Sequence, residues 1–214
     1  TLDPIDGTKG FLRGDQYAIA LALLVNGRVQ VAALGCPNLN RQLEPEIGGE
    51  GALLVAVRGE GTHISNLNTK FFERLRVSAC ADPAAARLLR SYESGHTSDA
   101  GTEAFVAALA IAAEPVKMDS QTKYALLAAG KAEVLLRLLS PKQPNYREKI
   151  WDQAAGSLIL QEAGGVITDL DGQPLDFTAG RTLARNRGVL ATNGVLHAQA
   201  LRALKRTEDG RRET

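Results

Sequence analysis

Asp3-Pro4-Ile5-Asp6-Gly7-Thr8 sets two carboxylates either side of a proline and an isoleucine, with a hydroxyl two residues beyond the second acid. Far downstream, Trp151-Asp152-Gln153-Ala154-Ala155-Gly156 places a third carboxylate at the opening of an Ala/Gly-rich segment. Carboxylates, a backbone carbonyl and retained waters are the oxygen ligands that Mg²⁺ takes in near-octahedral geometry. Pro4 fixes its own φ and biases Asp3 toward an extended conformation. A tight turn through Ile5 would aim Asp3, Asp6 and the Ile5 carbonyl into one pocket, with the Thr8 hydroxyl able to orient a water. Taken singly, Asp6-Gly7 is also an ordinary turn and Asp152 an ordinary helix N-cap. The capping role is compatible with chemistry, because a helix start offers free N–H groups that attract phosphate. Ala154, Ala155 and Gly156 are small enough to let a ligand or another backbone approach. Together the two segments point to metal-assisted phosphate chemistry, in which two cations clamp the attacking and leaving oxygens.

The elements that must position these groups are readable from pattern. Gln16 to Val25, Asn26-Gly27 and Arg28 to Gly35 predict a hairpin, Asn-Gly being a strong short turn signal. Ala52 to Val57, a Gly59-Glu60-Gly61 turn and Thr62 to Ser65 predict a second. Gly48-Gly49-Glu50-Gly51 reads as a loop rather than a phosphate cradle, since no helix-opening Lys-Ser/Thr follows it. Beyond Asp82-Pro83 strands and helices alternate. Strands are expected at Arg87–Tyr92, Val116–Met118, Ala132–Leu138, Val166–Asp169 and Gly188–Thr192. Helices are expected at Thr102–Ala112, Ser120–Ala129, Lys149–Ala163 and Val195–Leu204. This alternation implies α/β layers. The expected division is a lobe of residues 1–82, an α/β lobe of residues 83–206 and a disordered tail at 207–214.

Bulk properties exclude several classes of function. The 214 residues are 44% hydrophobic, enough for a sizeable core, and carry net charge +1 from 25 basic and 24 acidic residues. That balance argues against a nucleic-acid polymer or an anionic membrane as partner. Two cysteines cannot form a disulfide framework and three scattered histidines offer no zinc spacing, so a reducing, cytoplasmic setting is expected. No apolar run reaches the roughly 18 residues of a membrane span.

With both acidic segments in view, the chain resembles the lithium-sensitive, magnesium-dependent phosphomonoesterases of the inositol monophosphatase superfamily. Glu162-Ala163-Gly164-Gly165 extends the likeness. Within that superfamily, several segments are similar to the fungal and plant 3′(2′),5′-bisphosphate nucleotidases. They are Thr8-Lys9-Gly10-Phe11-Leu12-Arg13-Gly14, Gly35-Cys36-Pro37-Asn38-Leu39, Asp119-Ser120-Gln121, Lys123-Tyr124 and Glu148-Lys149-Ile150-Trp151-Asp152. The resemblance implies a layered α-β-α-β-α sugar-phosphatase fold. This chain would hold the second half of the N-terminal sheet and the C-terminal α/β lobe. It also implies removal of the 3′-phosphate of adenosine 3′,5′-bisphosphate to give AMP, with PAPS as a further substrate. An inositol phosphate phosphatase is the sibling reading. A non-catalytic nucleotide-binding remnant is the reading from another class.

Residue by residue, the resemblance implies that Asp3, the Ile5 carbonyl, Asp6 and Asp152 hold two or three Mg²⁺ ions. Thr8 would activate the attacking water, with Asp3 and Asp6 beside it, and Gly7 and Thr8 would meet the phosphate. His96, Ser120, Lys123 and Arg137 would contact the nucleotide. From the residues alone, His96 fits an exposed loop and Lys123 a solvated helix face. Arg137 interrupts Val134-Leu135-Leu136 and Leu138, so it needs an anion, either a phosphate or a neighbouring carboxylate. Trp151 reads as a packing residue. The superfamily's further acidic groups lie upstream of a motif that here begins at Asp3, so an N-terminally truncated piece with weak or no activity is expected. Three aspartates against four cationic charges would leave its metals under-liganded, and one sheet face uncovered. A monomer acting on a small molecule is expected.

Overall fold

Period-two alternation decides the first half of the chain. In a computed structural model, described over residues 1–69, 71–92, 98–139, 143 and 145–212, residues 2–74 form a six-stranded antiparallel sheet. Its strands are β1 (Leu2–Asp6), β2 (Ala18–Val25), β3 (Arg28–Cys36), β4 (Ala52–Val57), β5 (Gly61–Asn66) and β6 (Glu73–Arg74), paired in chain order. Both expected hairpins are present, the first turning at Asn26 and Gly27, whose φ values of 51° and 72° suit a primed turn. In β2 the inward residues are Ala18, Ala20 and Ala22, all buried, while Ile19, Leu21 and Leu23 face outward. The outer face is apolar and open: Leu21 is 53% and Leu23 55% exposed.

The second sheet is mixed, in the order β10 (Val166–Thr168), β11 (Val189–Thr192), β9 (Val134–Arg137), β7 (Leu88–Arg90) and β8 (Val116–Lys117). Among the described residues five α-helices accompany the sheets: α1 (Thr8–Leu12), α2 (Asp99–Leu109), α3 (Thr122–Ala128), α4 (Ala154–Glu162) and α5 (His197–Arg212). One core joins the alanine face of the first sheet to α3, α4 and the near face of the second. A second core lies between the far face of that sheet and α2 with α5. The layers therefore run sheet, helices, sheet, helices, the α/β sugar-phosphatase arrangement. Helix α5 runs through the charged stretch expected to fray, to Arg212. Arg and Lys are good helix formers, so a polar stretch can extend a helix without an apolar stripe.

Three differences bear on the site. The segment expected as a tight turn is instead β1, an edge strand, where Pro4 costs no interior ladder bond. Asp152 does not cap α4: it ends a 3-10 turn over Ile150–Asp152, and Gln153 occupies the cap position. Ser120 lies outside α3, with φ of 60° in the left-handed region.

Candidate active site

Asp3 and Asp6 sit three residues apart on one strand, a spacing that alternation would send to opposite faces. The pairing of β1 with β2 slips between them, Asp3 opposing Ala20 and Asp6 opposing Ala18. Three steps along β1 thus match two along β2, and this bulge turns both carboxylates to one side. The Ile5 N–H donates to Asp3 Oδ1 at 3.1 Å, and the Thr8 hydroxyl donates to the Ile5 carbonyl at 3.3 Å. Gly7, with φ of 83°, then swings the chain out of the strand and into α1.

The distant acid arrives from the 3-10 turn before α4. Carboxylate oxygens of Asp3, Asp6 and Asp152 all lie within 4.8 Å of one another. Burial pushes the Asp6 carboxyl up to about 6, opposed by the Gln121 backbone N–H and reinforced by Asp3. Burial, then the neighbouring Asp6, pushes Asp152 up to about 7. Two carboxyls held above their usual range report negative charge gathered in a dry place without full compensation. An all-oxygen donor set with that excess charge fits a hard divalent cation.

Asp6 and Asp152 line a cavity of about 290 Å³. Gly7, Thr8, Ser120, Lys123 and Arg137 line it, so the structure gathers these expected residues around one space. His96 lies outside the described residues. Lys123 is not solvated: it is 5% exposed, and its ammonium donates to Ser91 Oγ at 2.6 Å. Burial, helped by Arg137, lowers it to about 8 against the pull of Asp6 and Asp119. The Arg137 partner is a carboxylate: its Nε donates to Glu148 Oε1 at 3.0 Å and Nη2 meets Oε2 at 3.0 Å. Glu148 in turn accepts from Gln153 Nε2 at 2.9 Å, and Gln153 Oε1 accepts from the Tyr124 hydroxyl. Trp151 lies beneath the Arg181 guanidinium, 5.2 Å from its ring centre, which agrees with a packing role.

Some contributors escaped the sequence reading. Arg13 reaches the cavity wall and pairs with Asp119, near the Tyr92 ring. Gln121 is 3% exposed and touches both acidic segments. Asp119, Gln121 and Glu148 all stand inside segments that carried the resemblance, which was the available signal. Gly156 makes room for a side chain, since a Cβ there would stand 2.1 Å from the Tyr124 ring.

The sequence model of the Inositol monophosphatase family matches residues 1–208. This chain belongs to that family. Among curated relatives, a 3′(2′),5′-bisphosphate nucleotidase of Schizosaccharomyces pombe is 46% identical over 194 residues, 89% of this chain and 54% of the relative. A 3′(2′),5′-bisphosphate nucleotidase of Oryza sativa is 43% identical over 210 residues, 95% of this chain and 58% of the relative. The chain thus spans little more than half the length of these family members. Among solved structures, an IMPase of Thermotoga maritima aligns with a TM-score of 0.71 at 25% identity, over 98% of this chain and 69% of that one. An inositol monophosphate-bound SaIMPase-II aligns with a TM-score of 0.71 at 19% identity, over 99% of this chain and 71% of the other, which shows the shared fold.

Proposed function

We propose that the protein is a metal-dependent phosphomonoesterase acting on 3′(2′),5′-bisphosphate nucleotides, with adenosine 3′,5′-bisphosphate as substrate and AMP as product. The observation that carries this reading is the meeting of Asp3, Asp6 and Asp152, two of which line a cavity that also holds a buried lysine. The names of the relatives support the substrate class. Asp3, Asp6, Asp152 and the Ile5 carbonyl would hold Mg²⁺. Such an ion supplies charge neutralisation at the phosphoryl oxygens and a water of lowered pKa.

The chain's own groups account for the rest. Thr8 presents its hydroxyl beside the Ile5 carbonyl, where its lone pairs can accept a hydrogen bond from a water and fix its orientation. Lys123 sets a cation against an anionic substrate in a low-dielectric wall, where its attraction is strongest. Glu148 neutralises Arg137 and fixes its guanidinium plane, leaving Lys123 as the more responsive charge. Ser120, held in the left-handed region beside Gly7, offers a hydroxyl to the sugar or the phosphate.

The deciding experiment measures phosphate release from adenosine 3′,5′-bisphosphate, PAPS and inositol monophosphate by the full-length protein, with Mg²⁺ and with EDTA. Release from the bisphosphate nucleotide that EDTA abolishes is the expected result. Preference for inositol monophosphate would transfer the protein to the sibling activity. Nucleotide binding indifferent to EDTA, with no release, would leave a binding protein.

A further inference from the structure

Asp6 ends strand β1 and Asp152 ends the 3-10 turn before α4, so something must set their separation. Gln121 meets both segments. Its backbone N–H donates to Asp6 Oδ2. Its side-chain Nε2 donates to the Trp151 carbonyl at 2.9 Å, and its Oε1 accepts from the Gly156 N–H at 3.0 Å. Those last two groups bracket Asp152 in the chain. Gly156 lies in the first turn of α4, where N–H groups have no partner inside the helix. The cap residue Gln153 makes no side-chain cap bond of its own. Gln121 therefore caps α4 from another element, and the same residue grips β1. It is 3% exposed, and its amide has donor and acceptor placed for two opposite backbone groups.

We infer that Gln121 is a positioning residue that holds Asp6 and Asp152 at the spacing a divalent cation needs. The inference rests on the proposed metal-dependent reading of this site. A residue that only stabilised the fold would leave cation affinity unchanged once the protein is folded. A spacer of ligands changes it, since lost hydrogen bonds around metal ligands typically cost about 10–100-fold in affinity.

The test uses the full-length protein and Mn²⁺ as a spectroscopic probe, binding being followed by electron paramagnetic resonance. Gln121→Met keeps the volume and removes both side-chain hydrogen bonds. Gln121→Asn keeps the amide but falls short of Trp151 and Gly156. Both are expected to weaken Mn²⁺ binding by about 10–100-fold. Leu127→Ala, a core truncation in α3, lowers the melting temperature by an independent route and is expected to leave Mn²⁺ affinity unchanged. If either folded Gln121 variant binds Mn²⁺ within twofold of the parent, or Leu127→Ala weakens binding as much, the positioning role is overturned. Failure of the parent itself to bind Mn²⁺ overturns the underlying metal reading, which separates the two outcomes.

Discussion

Gly7 and Ser120 touch where the two sheets' loops meet: a Cβ on Gly7 would stand 2.7 Å from Ser120 Cβ. Gly7 has φ of 83°, and Ser120 itself occupies the left-handed region at 60°. Both backbones are bent sharply so that the acidic segment and the cavity wall can share one surface.

Gly7→Ala is accordingly predicted to damage stability and site together. A left-handed alanine costs roughly 1–2 kcal/mol before any clash, and the added methyl must push Ser120 away. Chemical denaturation should show a loss of at least that size, with phosphate release falling by more than the folded fraction alone explains. Gly14, with φ of 71° and open space around it, is the control. Gly14→Ala should incur only the conformational cost and leave turnover per folded molecule unchanged.

Lys123 gives the site a pH dependence with a definite sign. Its folded pKa of about 8 lies below the ordinary lysine value of 10.5, so it is cationic below about 8 and neutral above. KM for the bisphosphate nucleotide should rise as pH passes upward through about 8. Lys123→Met should remove that limb, raising KM below about pH 8 to the level the parent reaches above it. For stability the sign is opposite: a depressed lysine contributes stability above its unfolded pKa that is lost as pH falls through the folded value. A KM profile flat in the parent through this range would remove Lys123 from substrate binding.

How much of this could be read from the chain depended on the range of the determining contacts. The hairpin at Asn26-Gly27 follows from local turn chemistry and period-two alternation, and the structure places its strands within two residues of expectation. Asp3, Asp6 and Asp152 were legible because residue type and motif spacing alone flagged them. The bulge that co-orients the first two was not, since it depends on how β1 registers against β2. Pro4 suggested a turn, and an edge strand tolerates it equally well. Lys123 read as a solvated helix residue because periodicity cannot say which neighbours bury a short helix. The Tyr124–Gln153–Glu148–Arg137 chain was out of reach for the same reason, since tertiary packing brings Tyr124 to Gln153.

Glu148 makes Arg137 a structural residue as well as a cavity wall. Glu148 is 4% exposed, and Arg137→Ala would strand it as a buried charge. Breaking a buried pair from one side costs about 3–5 kcal/mol. Arg137→Ala should therefore lower stability by an amount of that order. Arg137→Met with Glu148→Gln should recover most of it, because both charges leave together. If Arg137 also meets the nucleotide, the double variant will be stable yet retain a raised KM for the bisphosphate nucleotide. A normal KM in the double variant would limit Arg137 to its pair with Glu148.

The last prediction concerns the cost of gathering the acids. Burial raises the folded pKa of Asp152 to about 7 from an ordinary value of 3.8. Between those values the native state binds more protons than the unfolded chain, so stability falls as pH rises through that window. Above about 7 the penalty is fully present. In chelator at about pH 8, Asp152→Asn should therefore melt higher than the parent, since a neutral amide replaces a repelled, buried carboxylate. A chain of this size gains about 2–4 °C for each kcal/mol recovered. At about pH 4 the carboxyl is protonated in the parent and the advantage should vanish. Saturating Mg²⁺ should reverse the order at the higher pH by stabilising the parent alone, through mass action on a site the variant has lost. A parent that outmelts Asp152→Asn in chelator at the higher pH would mean that residue 152 is not held against its own charge.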